Sequence, residues 1–462
     1  MSLLQRLYEV VWGVPALVLI LAVGLYLTLR SGFAQLRLLP KALRTFFSRM
    51  FGKKDRDDGV SSFRALCTAL AATVGTGNLA GVAGAIAIGG PGAVFWMWIC
   101  GLLGMMIKFA EATLSVRYRI RNSDGEFVGG PMYVIQQGMG KKWLFLSRIY
   151  CFFGVIAAFG VGNATQINTV IAGVNDTLSQ FGGTPTTLGN LLIGIGLAIL
   201  VGAMLLGGAD KIGRTAELLV PFAAVLYLFM GSLVLVLRYD AVPKAFESIF
   251  TGAFHPRSVT GGMVGSAVAT LRIGVSRGVF TNEAGMGTAG IAHGSALVNH
   301  PVEQGLMGIV EVFLDTIVIC TMTALVILCS GVSIPYGMDT GVALTTESFA
   351  SVLGPWVPSV IALALCLFAL ATVLGWGLYG IRCAQFLFGS HIWKKFVYIQ
   401  IATVILASVL QTETVWLMAE VVNGLMSIPN LVALLALSPE LMDILKKYRR
   451  KSNSYVTDGG KI

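Results

Sequence analysis

The sequence predicts an all-α integral membrane protein of about eleven transmembrane helices. Two five-helix halves are expected to repeat in opposite orientations behind one extra N-terminal helix. Three observations carry that expectation. Apolar residues make up 55% of the 462-residue chain and charged ones only 12%, against about 25% charged in soluble domains. No single soluble core hides that much apolar surface. Lys and Arg concentrate in every second connection between apolar runs. Finally, two of those runs are interrupted by glycine-rich, Asn-containing stretches whose asparagines lie 204 residues apart.

A helical span needs about 20 apolar residues. Eleven stretches qualify: 12–30, 62–89, 92–119, 143–176, 187–206, 214–238, 262–297, 303–331, 355–388, 393–411 and 414–437. Several exceed the bilayer thickness, so they should tilt, kink or project. The first is read as a retained span and not a signal peptide, because no small-x-small cleavage site follows it. The next stretch, "FAQLRLLPKALRTFFSRMF", mixes apolar and basic residues. It is expected to lie along the cytoplasmic surface as an amphipathic helix.

Charge then orients the spans. The first connection carries Arg37, Lys41, Arg44, Arg49, Lys53, Lys54 and Arg56. Further basic residues follow the third span (Arg121, Lys141, Lys142), the fifth (Lys211, Arg214) and the ninth (Lys394, Lys395). The tail adds Lys446, Lys447, Arg449, Arg450, Lys451 and Lys461. Connections 177–187, 332–354 and 411–414 carry no Lys or Arg, and 239–258 is the exception, with Lys244 and Arg257. This pattern puts the N-terminus outside and the C-terminus inside, and it accounts for the net charge of +10 without a nucleic-acid partner. The expected organisation is 1–61 as N-terminal span plus amphipathic segment and 62–238 as the first repeat. An external connection follows at 239–261, then the second repeat at 262–437 and a basic cytoplasmic tail at 438–462.

The seven cysteines are odd in number, lie in apolar runs and form no C-x-x-C. The four histidines fall near predicted loops without zinc spacing. No disulfide set, resident metal or cofactor is therefore expected. The chain has no H-E-x-x-H, G-x-S-x-G or P-loop motif, so an enzyme is not expected. The loops are too short for a nucleotide-driven pump. A channel would want a continuous polar pore and symmetry between subunits, where this chain offers an internal two-fold.

The first interruption is "TVGTGNLAG", Thr73 to Gly81. Gly77 and Gly81 alone would fit a G-x-x-x-G helix contact. The second is "RGVFTNEAGMGTAG", Arg277 to Gly290, and "GNLAG" and "TNEAG" share Asn-x-Ala-Gly. Each opens a run of five spans, and an odd number per repeat gives opposite orientations. Paired interrupted spans point to a transport site. Irregular backbone at membrane depth survives only against protein or a cavity. The freed amides of one half-helix favour an anion. The freed carbonyls of the other coordinate a cation or ammonium group. Two facing breaks therefore suit a small zwitterion accompanied by a cation.

Several side chains join this reading. Asn78 sits in the first break, and Phe280, Thr281 and Asn282 in the second. Asn163 and Gln166, three apart in the fourth span, share a face and stand either to contact substrate or to bond another helix. Ionisable residues inside spans cost about 2.5–3.5 kcal/mol each on insertion scales. Lys108 and Glu111 are placed to pair with each other, and Glu311 and Asp315 share a face. Glu283 is open to three roles: gate, half-helix brace or proton carrier. Structural pairing leads for all of these residues.

"TALAATVGTGNLAGVAGAIAIGGPGAVFWMW", "FVGGPMYVIQQGM", "GVSRGVFTNEAGMGTA", "PVEQGLMGIVEVFLDT" and "NGLMSIPNLVALLALS" resemble the alanine/glycine:cation symporters, the sodium:alanine symporter family. The likeness runs from about residue 12 to 440. It implies a bacterial or archaeal inner-membrane carrier that moves alanine, glycine or a related small neutral amino acid inward with Na⁺, in a leucine-transporter-type inverted repeat. Proton coupling or a larger neutral substrate such as glutamine is the alternative. A monomer in the bilayer is the working expectation, with oligomeric state left open. "ATVGTGN" further resembles the unwound segment of the neurotransmitter:sodium symporters. That resemblance implies that amides near Thr76, Gly77 and Asn78 meet the substrate carboxylate. It assigns the carbonyl of Thr73 and the side chain of Asn78 to a site touching substrate or ion. The carbonyls of Ala71 and Val74 would face a second sodium position, with Thr372 as partner hydroxyl. The family usually carries Ser-Thr where this chain has Ala371-Thr372, so one hydroxyl ligand is missing. Trp376 is expected to wall the pocket and limit side-chain size.

Overall fold

The computed structural model describes residues 14–52, 59–123, 125–180, 182–262, 264–338, 341–410 and 413–458. The expected basic positions Lys53, Lys54, Arg56 and Lys461 lie outside them. Among the described residues the architecture is almost wholly helical. Six helices are long and apolar enough to cross a membrane, and nine if each bent pair counts as one span. Two of the eleven expected spans fall short of that test. The seventh is split into Ala267–Asn282 and Thr288–Gly294, and the tenth is the 15-residue helix Trp393–Ala407.

The first span, Val14–Ser31, turns at Gly32 and Phe33 into the helix Ala34–Phe51, bent by 81° from it. The second span is the broken pair Ser62–Thr73 and Gly77–Gly89, bent by 52°. Its start is capped by Ser61, whose hydroxyl accepts the Arg64 amide. The third span, Ala93–Arg117, is packed on all sides against its neighbours, as a helix apolar all round must be. Glycines set the close approaches to it. A Cβ on Gly274 would fall 2.3 Å from the Ala93 carbonyl, and one on Gly308 would fall 2.7 Å from the Lys108 carbonyl.

Three spans carry a π-helical segment where one residue is squeezed out of register. These segments are Gly77–Gly81 in the second span, Gly160–Ala164 in the fourth and Phe313–Cys320 in the eighth. Such segments concentrate at functional positions because they free a backbone group from the regular ladder.

The flanks of the two broken spans meet. Val60–Ser61, ahead of the second span, pairs with Ala296–Leu297, behind the seventh. The start of one interrupted span thus lies beside the end of the other, as opposite orientations require. The connection 332–354, expected as a loop, holds the helix Val342–Leu353. It is too short to read as a span, but its Thr345 hydroxyl donates to the Leu79 carbonyl in the first break, at 3.1 Å. The tail forms a helix, Ser438–Asp458, bent 59° from the eleventh span.

Candidate functional site

The site starts at the first break. After Thr73 the chain extends at Val74, and the Gly75 amide turns to the Asn78 side-chain oxygen at 2.8 Å. One side chain thereby satisfies a backbone donor that the helix has given up. The Asn78 Nδ2 donates to the Asp315 carboxylate at 2.7 Å, with the Asp315 carbonyl and Cys320 Sγ both at 3.3 Å. The other Asp315 oxygen accepts from Thr316 at 2.9 Å. Asn78 and Asp315 are fully buried, and the carboxylate's hydrogen-bond donors, Asn78 and Thr316, are neutral. Asp315 was legible only as the partner of Glu311 on one helix face. Its contact with the first break spans 237 residues and has no local signal.

The second break faces the first. A methyl group on Gly77 would touch the Phe280 ring at 3.5 Å and the Thr281 methyl at 3.4 Å, and one on Gly81 would touch Thr281 at 3.6 Å. Asn282 turns the other way, to the Thr316 hydroxyl and its own Ala284 amide. Glu283 adopts a left-handed conformation at φ 52°, and Gly285 and Gly287 follow at φ 98° and 77°. A non-glycine residue held there marks strain concentrated at a functional bend. The Glu283 carboxylate accepts the Thr288 hydroxyl at 2.7 Å and the Trp376 indole N–H at 3.0 Å. These contacts tie the bend to the start of the second half-helix and to the ninth span.

Thr372 and Ala71 come together. The Thr372 hydroxyl lies 3.0 Å from both the Ala71 and Phe368 carbonyls. A Cβ on Gly75 would fall 2.9 Å from that hydroxyl, so the ninth span and the unwound segment share one small volume. The Thr73 hydroxyl bonds back to the Ala69 and Leu70 carbonyls in its own helix.

Trp376 packs against the fourth span. Its Cβ is 2.4 Å from where a Gly162 side chain would start, so only glycine admits it. Beside it, both side-chain atoms of Asn163 and the Gln166 oxygen are buried, without a hydrogen-bond partner among the described residues. The Gln166 nitrogen reaches Val161 and Thr165 at 3.3 and 3.4 Å. Buried amides left unpaired cost about 1–3 kcal/mol each. They are sustained where something else pairs with them.

Lys108 and Glu111 do not pair with each other. Lys108 binds Glu311 of the eighth span at 2.9 Å, fully buried. The other Glu311 oxygen meets His293 Nε2 at 2.9 Å, and His293 Nδ1 accepts from Gln304 at 2.7 Å. Gln304 in turn accepts the Ser62 hydroxyl at 2.6 Å. Glu111 instead receives the Gly285 and Gly287 amides at 3.0 Å and the Asn430 side chain at 2.8 Å. Spacing on one helix sees neighbours three residues apart, whereas the open second break offers two free amides that outcompete them. His293, expected near a loop, lies in the helix Thr288–Gly294 and is fully buried. All seven cysteines are free thiols.

Residues 1–459 match the Sodium:alanine symporter family. The chain belongs to that family. It is therefore a transporter of bacterial and archaeal type and not an enzyme. The sodium/alanine symporter AgcS of Methanococcus maripaludis is 41% identical over 97% of this chain and 97% of its own length. The amino-acid carrier protein AlsT of Bacillus subtilis is 36% identical over 97% of this chain and 92% of its own. Among solved structures, MhsT in complex with L-phenylalanine superposes with TM-score 0.58 at 15% identity, covering 84% of this chain and 99% of that one. This establishes the transporter's fold as the leucine-transporter type.

Proposed function

We propose that the transporter moves a small neutral amino acid, alanine or glycine, into the cell together with Na⁺ by alternating access. The observation that carries this reading is the meeting of the two breaks, with Gly77 against Phe280 and Thr281. Trp376 links the second break, through Glu283, to the fourth span, where both polar atoms of Asn163 and the Gln166 oxygen lie buried without a partner among the described residues. The amides near Thr76, Gly77 and Asn78 would take the substrate carboxylate, and Asn282 would hold the second break in place through Thr316. Phe280, Thr281 and Trp376 enclose a small side chain, and Asn163 and Gln166 complete the polar contacts. Sodium would sit between the carbonyls of Ala71 and Val74 and the Thr372 hydroxyl. A second position would use the Thr73 carbonyl and Asn78, with Asp315 supplying negative charge. Family membership and the name of AgcS support the substrate and the ion. The alternation of basic connections supports an N-terminus outside, a C-terminus inside and residence in the cytoplasmic membrane. The paired flanks at Val60 and Ala296 support division into two inverted repeats over 62–238 and 262–437.

Buried Glu111, Glu283 and Asp315 favour one alternative, coupling to protons. Reconstituted vesicles separate the two. Uptake of labelled alanine, glycine and glutamine is measured under an imposed Na⁺ gradient and, separately, an imposed H⁺ gradient. Na⁺-driven accumulation of alanine or glycine is expected. Accumulation indifferent to Na⁺ would overturn the coupling, and accumulation of glutamine alone would overturn the substrate.

A further inference from the structure

The turn after the first span gathers positive charge from two directions. Arg37 donates to the Ser31 carbonyl at 2.6 Å, and Arg449 of the C-terminal helix approaches the same oxygen to 3.5 Å. Two guanidinium groups thus crowd one acceptor. Arg30, one residue ahead of Ser31, turns back to the Tyr26 hydroxyl. Arg37, Lys41 and Arg44 stand at i, i+4 and i+7 on one stripe of the helix Ala34–Phe51. That stripe faces the C-terminal helix, where Lys41 lies 4.4 Å above the Tyr448 ring. Among the described residues no carboxylate is paired with Arg30, Arg37 or Arg449. Like charges this close repel unless an anion lies between them. Burial, and then the Arg37 charge, hold the Arg449 guanidinium below its ordinary range.

The surface beside this charge is apolar. Leu29 is 57% exposed, Phe33 49% and Leu36 46%. Phe33 is held in the left-handed region at φ 58°, an outlier for a bulky side chain, and follows Gly32 at φ 63°. A Cβ on Gly32 would come within 2.8 Å of the Arg37 guanidinium. The turn therefore brings a convergent cationic patch edge to edge with exposed aromatic and aliphatic side chains. A free anion needs only the first of these, whereas an amphiphile needs both.

We propose that Arg37 and Arg449 bind the headgroup phosphate of an anionic phospholipid, whose acyl chains lie along Leu29, Phe33 and Leu36. The lipid bridges the first span and the C-terminal helix, two elements joined here by the contact of Tyr26 with Ser438. Arginine suits this role because its planar fork meets phosphate in two places.

The test uses the full-length protein in mild detergent, with bound lipid counted by native mass spectrometry. Phosphatidylglycerol and phosphatidylcholine of matched acyl chains are titrated separately. The wild type is expected to hold phosphatidylglycerol in preference. Arg37→Gln with Arg449→Gln should weaken that lipid about thirtyfold, or about 2 kcal/mol for two interfacial charges, and leave phosphatidylcholine unchanged. Lys394→Gln with Lys395→Gln removes the same charge elsewhere and should keep the preference. The charge-conserving pair Arg37→Lys with Arg449→Lys should keep the preference at reduced strength, since it keeps the charge and loses the fork, and it guards against a misfolded Gln variant. Equal phosphatidylglycerol binding by the wild type and the Gln pair would overturn the proposal, as would equal loss in the Lys394/Lys395 control. Full displacement of the lipid by millimolar inorganic phosphate would reassign the patch to a free anion.

Discussion

Thr372→Val isolates the proposed sodium contact. Valine keeps the branched shape and removes only the hydroxyl, which now lies 3.0 Å from the Ala71 carbonyl and 3.0 Å from that of Phe368. A hydroxyl has one proton and two lone pairs. It therefore donates to one carbonyl and keeps acceptor capacity for a cation beside it. Two consequences have different sizes. The lost neutral hydrogen bond costs about 1 kcal/mol of stability, a shift of about two degrees or less in a chain this long. The lost contact to a charged group is worth about 1.5–3 kcal/mol, which raises the Na⁺ concentration for half-maximal alanine uptake roughly 10- to 150-fold. Thr372→Ser keeps the hydroxyl and should stay within about threefold of the wild type. The assay is alanine uptake into vesicles at varied external Na⁺, with thermal unfolding of the same preparations as the control. Unchanged Na⁺ half-saturation in the valine variant, at normal stability, would refute the placement of sodium beside Ala71.

Three other expectations follow from the geometry. Asn163→Leu removes an amide that no described residue satisfies. Its unfolding temperature should not fall, while half-saturation by alanine rises at least about tenfold. A variant that lost stability but kept its affinity would make Asn163 a structural residue. Lys108→Met strands the buried Glu311 carboxylate and should cost about 3–5 kcal/mol, with much of it recovered in the Lys108→Met/Glu311→Met pair. Thermal unfolding reads both, and a harmless single variant would contradict the ion pair. Gly162→Ala forces a methyl to 2.4 Å from the Trp376 Cβ and should cost about 1–3 kcal/mol while slowing transport. Normal turnover and melting in that variant would show that the wall yields.

Much of the frame could be read from residue order because membrane burial leaves a one-dimensional record. Apolar runs marked the spans to within a few residues, and Gly75, Gly77 and Gly81 marked the first break, because no other residue loosens a helix as they do. Asn78 stood out as a polar side chain inside an apolar run. What stayed hidden depends on neighbours distant in sequence. Asp315 meets Asn78, Glu311 meets Lys108, and Asn430 meets Glu111 only after the spans pack. Lys108 and Glu111 misled for the same reason, since helical spacing makes them neighbours whatever else competes for them. The helix Val342–Leu353 was lost to length: 12 residues cannot cross a bilayer, so it read as connection.

The grip of Glu111 on the Gly285 and Gly287 amides has a mechanical meaning. Straightening the second interruption would strip a submerged negative group of its donors, so this bend is a rivet and not a spring. Any rocking of the seventh span must carry the third along with it, and the freedom for inward and outward opening is left to the half-helices on either side.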